Sequence, residues 1–184
     1  VYAGGGMGMF LCYVGGMPYL MVKLFGRPPS EIGLYLVFLS GSFMLGTFLS
    51  TRITQYFGGL DGMIRRASVL VALCSLGVPA ALYFWQASPL AFFGPALGMG
   101  LFHGLAMPNA QAGAVSVRPE VAGSASGLMM FIQISIGSAF AQAAGIVPHD
   151  SPWPLAIMVL IAAFVAVAGY NLLIGRGLPA EEPA

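Results

Sequence analysis

Charge is what this sequence has least of. Asp, Glu, Lys and Arg together make up 7% of its 184 residues, where an ordinary soluble domain carries roughly a quarter. So few charges cannot cover the surface of a water-soluble fold. Hydrophobic residues fill 58% of the chain, and its mean hydropathy is +0.88. The apolar segments also lack the apolar–polar alternation of barrel strands. That leaves a helix bundle, whose backbone groups satisfy one another inside a bilayer. A net charge of +1 offers nucleic acid no electrostatic footprint. Cys12 and Cys74 lie inside apolar runs without the Cys-x-x-Cys spacing of a redox or zinc site, so both read as small packing or lipid-facing residues. Neither an initiator Met nor a basic n-region precedes the apolar run at Val1; no signal peptide is marked, and a trimmed or partial chain is expected.

What is present is a succession of apolar runs. At about 20 residues per crossing the chain accommodates six spans, near residues 1–22, 32–51, 67–85, 90–114, 121–147 and 153–174, with a polar tail at 176–184. The expected fold class is an all-α membrane protein of six transmembrane helices. Between the first two spans, Gly26-Arg27-Pro28-Pro29-Ser30 reads as a turn, with Ser30 placed to cap the second helix and Glu31 suited to its first turn. Residues 52–66 form the longest and most basic loop, containing Gly58-Gly59-Leu60-Asp61-Gly62 and Arg65-Arg66. Gln86-Ala87-Ser88-Pro89 is too short for anything but an antiparallel helix hairpin, and Pro148-His149-Asp150-Ser151-Pro152 ends the fifth span.

Assigning connections to alternate sides gathers Arg52, Arg65, Arg66, Arg118 and Arg176 on one face, against Lys23 and Arg27 on the other. The positive-inside rule makes the arginine face cytoplasmic and places both ends of the chain there. Trp85 and Trp153 then fall near the opposite interface, where aromatic anchors belong.

No Asp, Glu, Lys or Arg occupies the middle of a span, so His103, Asn109, Gln111, Gln133 and Gln142 stand out as the polar side chains at membrane depth. The pairs Gly4/Gly8, Gly94/Gly98, Gly100/Gly104 and Gly123/Gly127 have the small-xxx-small spacing that lets helices approach closely. Pro18, Pro79, Pro95 and Pro108 are candidate kinks. A faint internal repeat joins Ser40-Gly41-Ser42 to Ile136-Gly137-Ser138, as an inverted three-plus-three duplication requires.

Two blocks carry a family resemblance. The first is Phe10, Tyr13, Pro18-Tyr19, Phe25-Gly26, Ser30, Gly33-Leu34-Tyr35, Phe38 and Gly46; the second is Pro108-Asn109-Ala110, Ala112, Ala114, Ala122-Gly123-Ser124-Ala125-Ser126, Leu128, Phe131-Ile132-Gln133 and Gly137. Together they resemble helices seven, eight, ten and eleven of the Bcr/CflA drug:proton antiporters, a branch of the major facilitator superfamily. The loop before Arg65-Arg66 departs from that superfamily's signature in lacking an Asp-Arg core. The resemblance implies one half of such a bundle, two inverted three-helix repeats, with the first and fourth spans lining a central cavity, the second and fifth helping, and the third and sixth facing lipid. It further implies a multi-pass protein of the bacterial cytoplasmic (inner) membrane. Its activity is expected to be export of small amphipathic compounds or drugs by proton-coupled alternating access, this chain supplying the C-terminal half. Substrate, protons, lipid and the missing N-terminal half are the expected partners.

Phe10, Tyr13, Met17, Tyr19, Tyr35 and Phe131 are the candidate substrate wall, since aromatic faces attract apolar cations and methionine adapts to varied shapes. Gln133 joins them because an amide at this depth needs a partner. His103 is both a cavity candidate and the proton-coupling candidate, imidazole being the side chain that changes charge near physiological pH. Asn109 and Gln111 follow Pro108 and are expected to satisfy the carbonyl that proline frees. Arg52, Arg65 and Arg66 face headgroups or the other half, or simply set topology. No carboxylate lies within a span here, and the resemblance implies that the coupling acid sits in the N-terminal half. An intramembrane enzyme would need a nucleophile with its base or a metal cluster, and no Gly-x-Ser-x-Gly or His-Glu-x-x-His occurs, while His103 and His149 are far apart. Neither enzyme activity nor any cofactor or metal is expected. The alternative is a channel-like or structural six-helix protein acting as a homodimer.

Overall fold

The computed structural model describes residues 2–84, 88–116, 119–146 and 150–174, and every element among them is helical. Trp85, Arg118, His149, Arg176 and the tail at 176–184 lie outside these residues. Among the described residues, six helices are long and apolar enough to cross a membrane. They are α1 (Tyr2–Tyr19), α2 (Ser30–Ile53), α3 (Gly59–Phe84), α4 (Pro89–Ser116), α5 (Ala122–Ile146) and α6 (Trp153–Ile174).

Local chemistry explains how they begin and end. Pro18 has no N–H to donate, and the helix beyond it loosens into a π turn, Leu20–Leu24, closed by the Phe25 amide on the Leu20 carbonyl at 2.9 Å. Ser30 does not cap α2 as expected. Pro29 occupies the cap position without a side-chain bond, because the Pro28 and Pro29 carbonyls already receive the Glu31 and Ile32 amides. Glu31 does sit in the first turn, paired with Arg27 at 3.7 Å.

Residues 52–66 are not an open loop. α2 runs on through Arg52, one 3-10 turn (Thr54–Phe57) follows, and α3 starts at Gly59. Polar side chains do not stop a helix that has left the apolar layer, since its backbone bonds remain internal. Gly58 and Gly59, at φ 84° and 74°, reverse the chain in two residues. The Arg66 guanidinium, donating to the Phe57 carbonyl at 2.6 Å and lying over its ring, holds the corner.

α1 packs on α5 and α6, α4 packs on α2 and α3, and α3 meets α6. Exchanging α1 with α4, α2 with α5 and α3 with α6 leaves these main pairings unchanged, while the smaller α4–α5 and α5–α6 contacts have no α1–α2 or α2–α3 counterpart of equal extent. The seams follow the glycines: Gly4 and Gly8 lie against Ile136 and Phe140 of α5, and Gly100 and Gly104 against Leu39, Ser42 and Phe43 of α2. α2 and α5 are the least covered, with 11% and 17% of their most apolar stretches buried against 44% and 50% for α1 and α4. α3 and α6 cover each other on one side and expose Leu73, Leu76, Ile157, Ile161 and Phe164 on the other. Two apolar cores result, one around Tyr13, Met17, Phe92, Val71 and Val159, the other around Tyr2, Met63, Ile64, Ala106 and Tyr170.

A buried polar knot ties α2 to α4. The Asn109 amide donates to Ser50 Oγ at 2.8 Å and to the Leu105 carbonyl at 2.7 Å, while the Ser50 hydroxyl also reaches the Leu105 carbonyl at 2.9 Å. The carbonyl that Pro108 frees belongs to Gly104, four residues back, and the Thr47 hydroxyl approaches it at 3.4 Å. Asn109 therefore serves the neighbouring carbonyl, and Gln111 is exposed. Asn109→Ala removes the donor shared by Ser50 and Leu105 and should lower stability by about 1–3 kcal/mol. Thermal unfolding in detergent micelles beside the wild type measures this; an unchanged midpoint would show the knot to be incidental.

Candidate functional site

Between the α1–α5 and α2–α4 pairs lies a cavity of about 250 Å³. From α1 it takes Gly6, Met7, Met9, Phe10 and Tyr13, and from α4 Ala96, Met99, Gly100, His103 and Met107, each set one stripe at helical spacing. Leu39, Ser40 and Phe43 of α2 and Gln133 of α5 complete the wall. A second hollow, about 520 Å³, opens between the later part of α4 (Pro108, Gln111, Ala112, Val115) and the earlier part of α5 (Ser126, Met129, Met130). Gln133 belongs to both.

His103 is set by its neighbours. Its ring lies over Gly6, where even a methyl group would overlap it. Its Nδ1 stands 3.3 Å from the Tyr2 hydroxyl, and the Phe43 ring is 5.8 Å away on another side. Tyr13 is fully packed against Phe92 and Phe93, and its hydroxyl donates to the Phe92 carbonyl at 3.3 Å. Gln133 is 8% exposed, its amide makes no hydrogen bond among the described residues, and its side chain borders both hollows.

The structure thus brings together Phe10, Tyr13, His103 and Gln133. Met17 is buried in the core away from the cavity, and Tyr35 stacks on Phe93 with ring centroids 4.5 Å apart. Tyr19 is the last residue of α1, 38% exposed and outside the cavity's lining, and Phe131 points outward from α5, 69% exposed. Arg52, Arg65 and Arg66 are exposed at one end of the bundle, Arg52 over the Phe48 ring. No protein-family model, no curated protein and no solved structure matches this chain.

The site's character follows from its own side chains. Met7, Met9, Met99 and Met107, none of them singled out by sequence, supply much of a soft, adaptable wall. A signal for three of them is present: α1 carries Gly6-Met7-Gly8-Met9 and α4 carries Gly98-Met99-Gly100, each methionine directly following a glycine of the kind that lets helices approach. Among the cavity's residues none is charged, and its polar groups are Ser40, His103, Gln133 and the already bonded Tyr13. Such a site holds apolar molecules by shape and orients them by one or two hydrogen bonds.

Proposed function

We propose that this chain is the C-terminal half of a bacterial inner-membrane exporter that moves small amphipathic compounds or drugs by proton-coupled alternating access. The observation that carries the proposal is the Met- and aromatic-lined cavity between two three-helix groups whose main pairings interchange, as those of an inverted-repeat transporter half do. The missing half accounts for the uncovered faces. α2 exposes Leu34, Val37, Gly41, Met44 and Phe48, and α5 exposes Leu128, Phe131, Ser135, Ser138 and Gln142, each alternating steps of three and four residues as a helix-packing seam does. Ser135, Ser138 and Gln142 are poor company for lipid tails and good company for another helix.

Expression of the whole open reading frame in bacteria deficient in efflux, with accumulation of the uncharged dye Nile red followed before and after a protonophore, tests this. Retained dye export that the protonophore abolishes is the expected result. Passive flux without proton dependence in proteoliposomes would overturn it in favour of a channel. His103 is the imidazole of the cavity, so it is the side chain at which proton coupling through this half is put to the test. Unaltered proton-coupled export by His103→Ala would remove it from that role and leave coupling to the other half.

A further inference from the structure

The Tyr2–His103 contact has a direction. Tyr2 is 5% exposed, and among the described residues its hydroxyl has one partner, His103 Nδ1 at 3.3 Å. A buried phenol left without an acceptor is costly, so the O–H donates to Nδ1, which must then carry a lone pair. An imidazole with a lone pair on Nδ1 is neutral and bears its proton on Nε2. Gly6 beneath the ring and Phe43 beside it restrict the rotation that would exchange the two nitrogens. Among the described residues no Asp, Glu, Lys or Arg lines the cavity, so none of them compensates an imidazolium there.

We infer that Tyr2 is a positioning residue that fixes His103 as a neutral Nε2–H donor, and that the cavity takes uncharged apolar molecules bearing an acceptor oxygen. The inference rests on the cavity being a ligand site, and it assigns His103 to recognition of the cargo in place of proton carriage. Gln133 supplies a second polar contact on the α5 side. The methionines and rings enclose the apolar remainder, and the absence of any anionic side chain disfavours a compact cation.

The test uses the chain in lipid nanodiscs with His149→Gln, which leaves His103 the sole histidine. Nitrogen-15 spectra of the labelled ring at neutral pH report the tautomer directly. The Nε2–H form is expected, and Tyr2→Phe, which keeps the ring volume, should shift the population toward the other neutral tautomer. Benzophenone and 1,1-diphenylethylene, alike in shape but differing in the carbonyl oxygen, are the probes, with trimethylanilinium as the cationic arm. After correction for partition into lipid, benzophenone is expected to bind about fivefold more tightly than the alkene. That preference should vanish in His103→Phe. An imidazolium or Nδ1–H form in the wild type, a tautomer indifferent to Tyr2→Phe, equal affinities for the two neutral probes, or tighter binding of the cation would each overturn the inference while leaving a ligand cavity in place. Failure of all three probes to bind would overturn the cavity as a ligand site, and the inference with it.

Discussion

Gly104→Val is expected to separate α2 from α4 and destabilise the bundle by about 3 kcal/mol or more, the upper range for overpacking a closed interior. The reason is the nature of the obstacle. A Cβ at Gly104 would run into the Phe43 carbonyl oxygen and lie 3.1 Å from the Thr47 backbone nitrogen. A flexible side chain can swing aside, but a carbonyl fixed in a helix cannot. Gly46 faces the same difficulty from the other helix, against the Leu101 carbonyl and 3.1 Å from the Gly104 Cα. Pushing the helices apart would also stretch the Thr47 bond to the Gly104 carbonyl and the Asn109–Ser50 bond close by. Gly94→Val is the control on the same helix, since nothing lies within 4 Å of a Cβ there. Unfolding in graded denaturing detergent compares them, and equal stability of the two variants would show that α2 and α4 are not in backbone contact at Gly104.

That contrast marks what sequence could and could not resolve. Span number and approximate position were legible because a bilayer imposes both length and apolarity on every crossing. Small-xxx-small spacing was legible too, but it reports only that close approach is possible. Gly4/Gly8 and Gly100/Gly104 meet neighbouring helices, whereas Gly94, Gly123 and Gly127 face open space. Which side of a helix finds a partner is decided by tertiary packing, which a single helix does not encode.

The same limit applies to the candidate site. His103 and Gln133 stood out because polar groups at membrane depth are costly and so few are present. Aromatic and methionine residues carry no such signal, since they fill cavity walls and cores alike. Met17 therefore lies in the core and Phe131 on the outer face, while Met99 and Phe43 line the cavity. The extent of α2 and α3 was hidden for a different reason. Arg52, Asp61 and Arg66 are polar but helical, and only Gly58 and Gly59 break the chain between them.

The largest effect on the cavity itself should come from Gly6→Ala. The three atoms that a Cβ at this position would come nearest all belong to the His103 imidazole, which is the far end of a side chain and able to move where a carbonyl cannot. The bundle should therefore survive, at a cost of about 1–3 kcal/mol. The displaced ring has Tyr2 on one side and the cavity on another, so moving it breaks the Tyr2 contact and fills space a ligand needs. Benzophenone affinity is expected to fall about tenfold or more, equivalent to about 1.4 kcal/mol. The double variant Gly6→Ala/His103→Ala separates steric from chemical causes: with the ring gone, the three nearest obstacles to the added methyl are removed. Stability should then return to that of His103→Ala alone, giving a coupling energy of the size found between residues in contact. Additive losses in the double variant would mean that the His103 ring does not rest on Gly6, and the shape of the cavity wall between α1 and α4 would have to be redrawn.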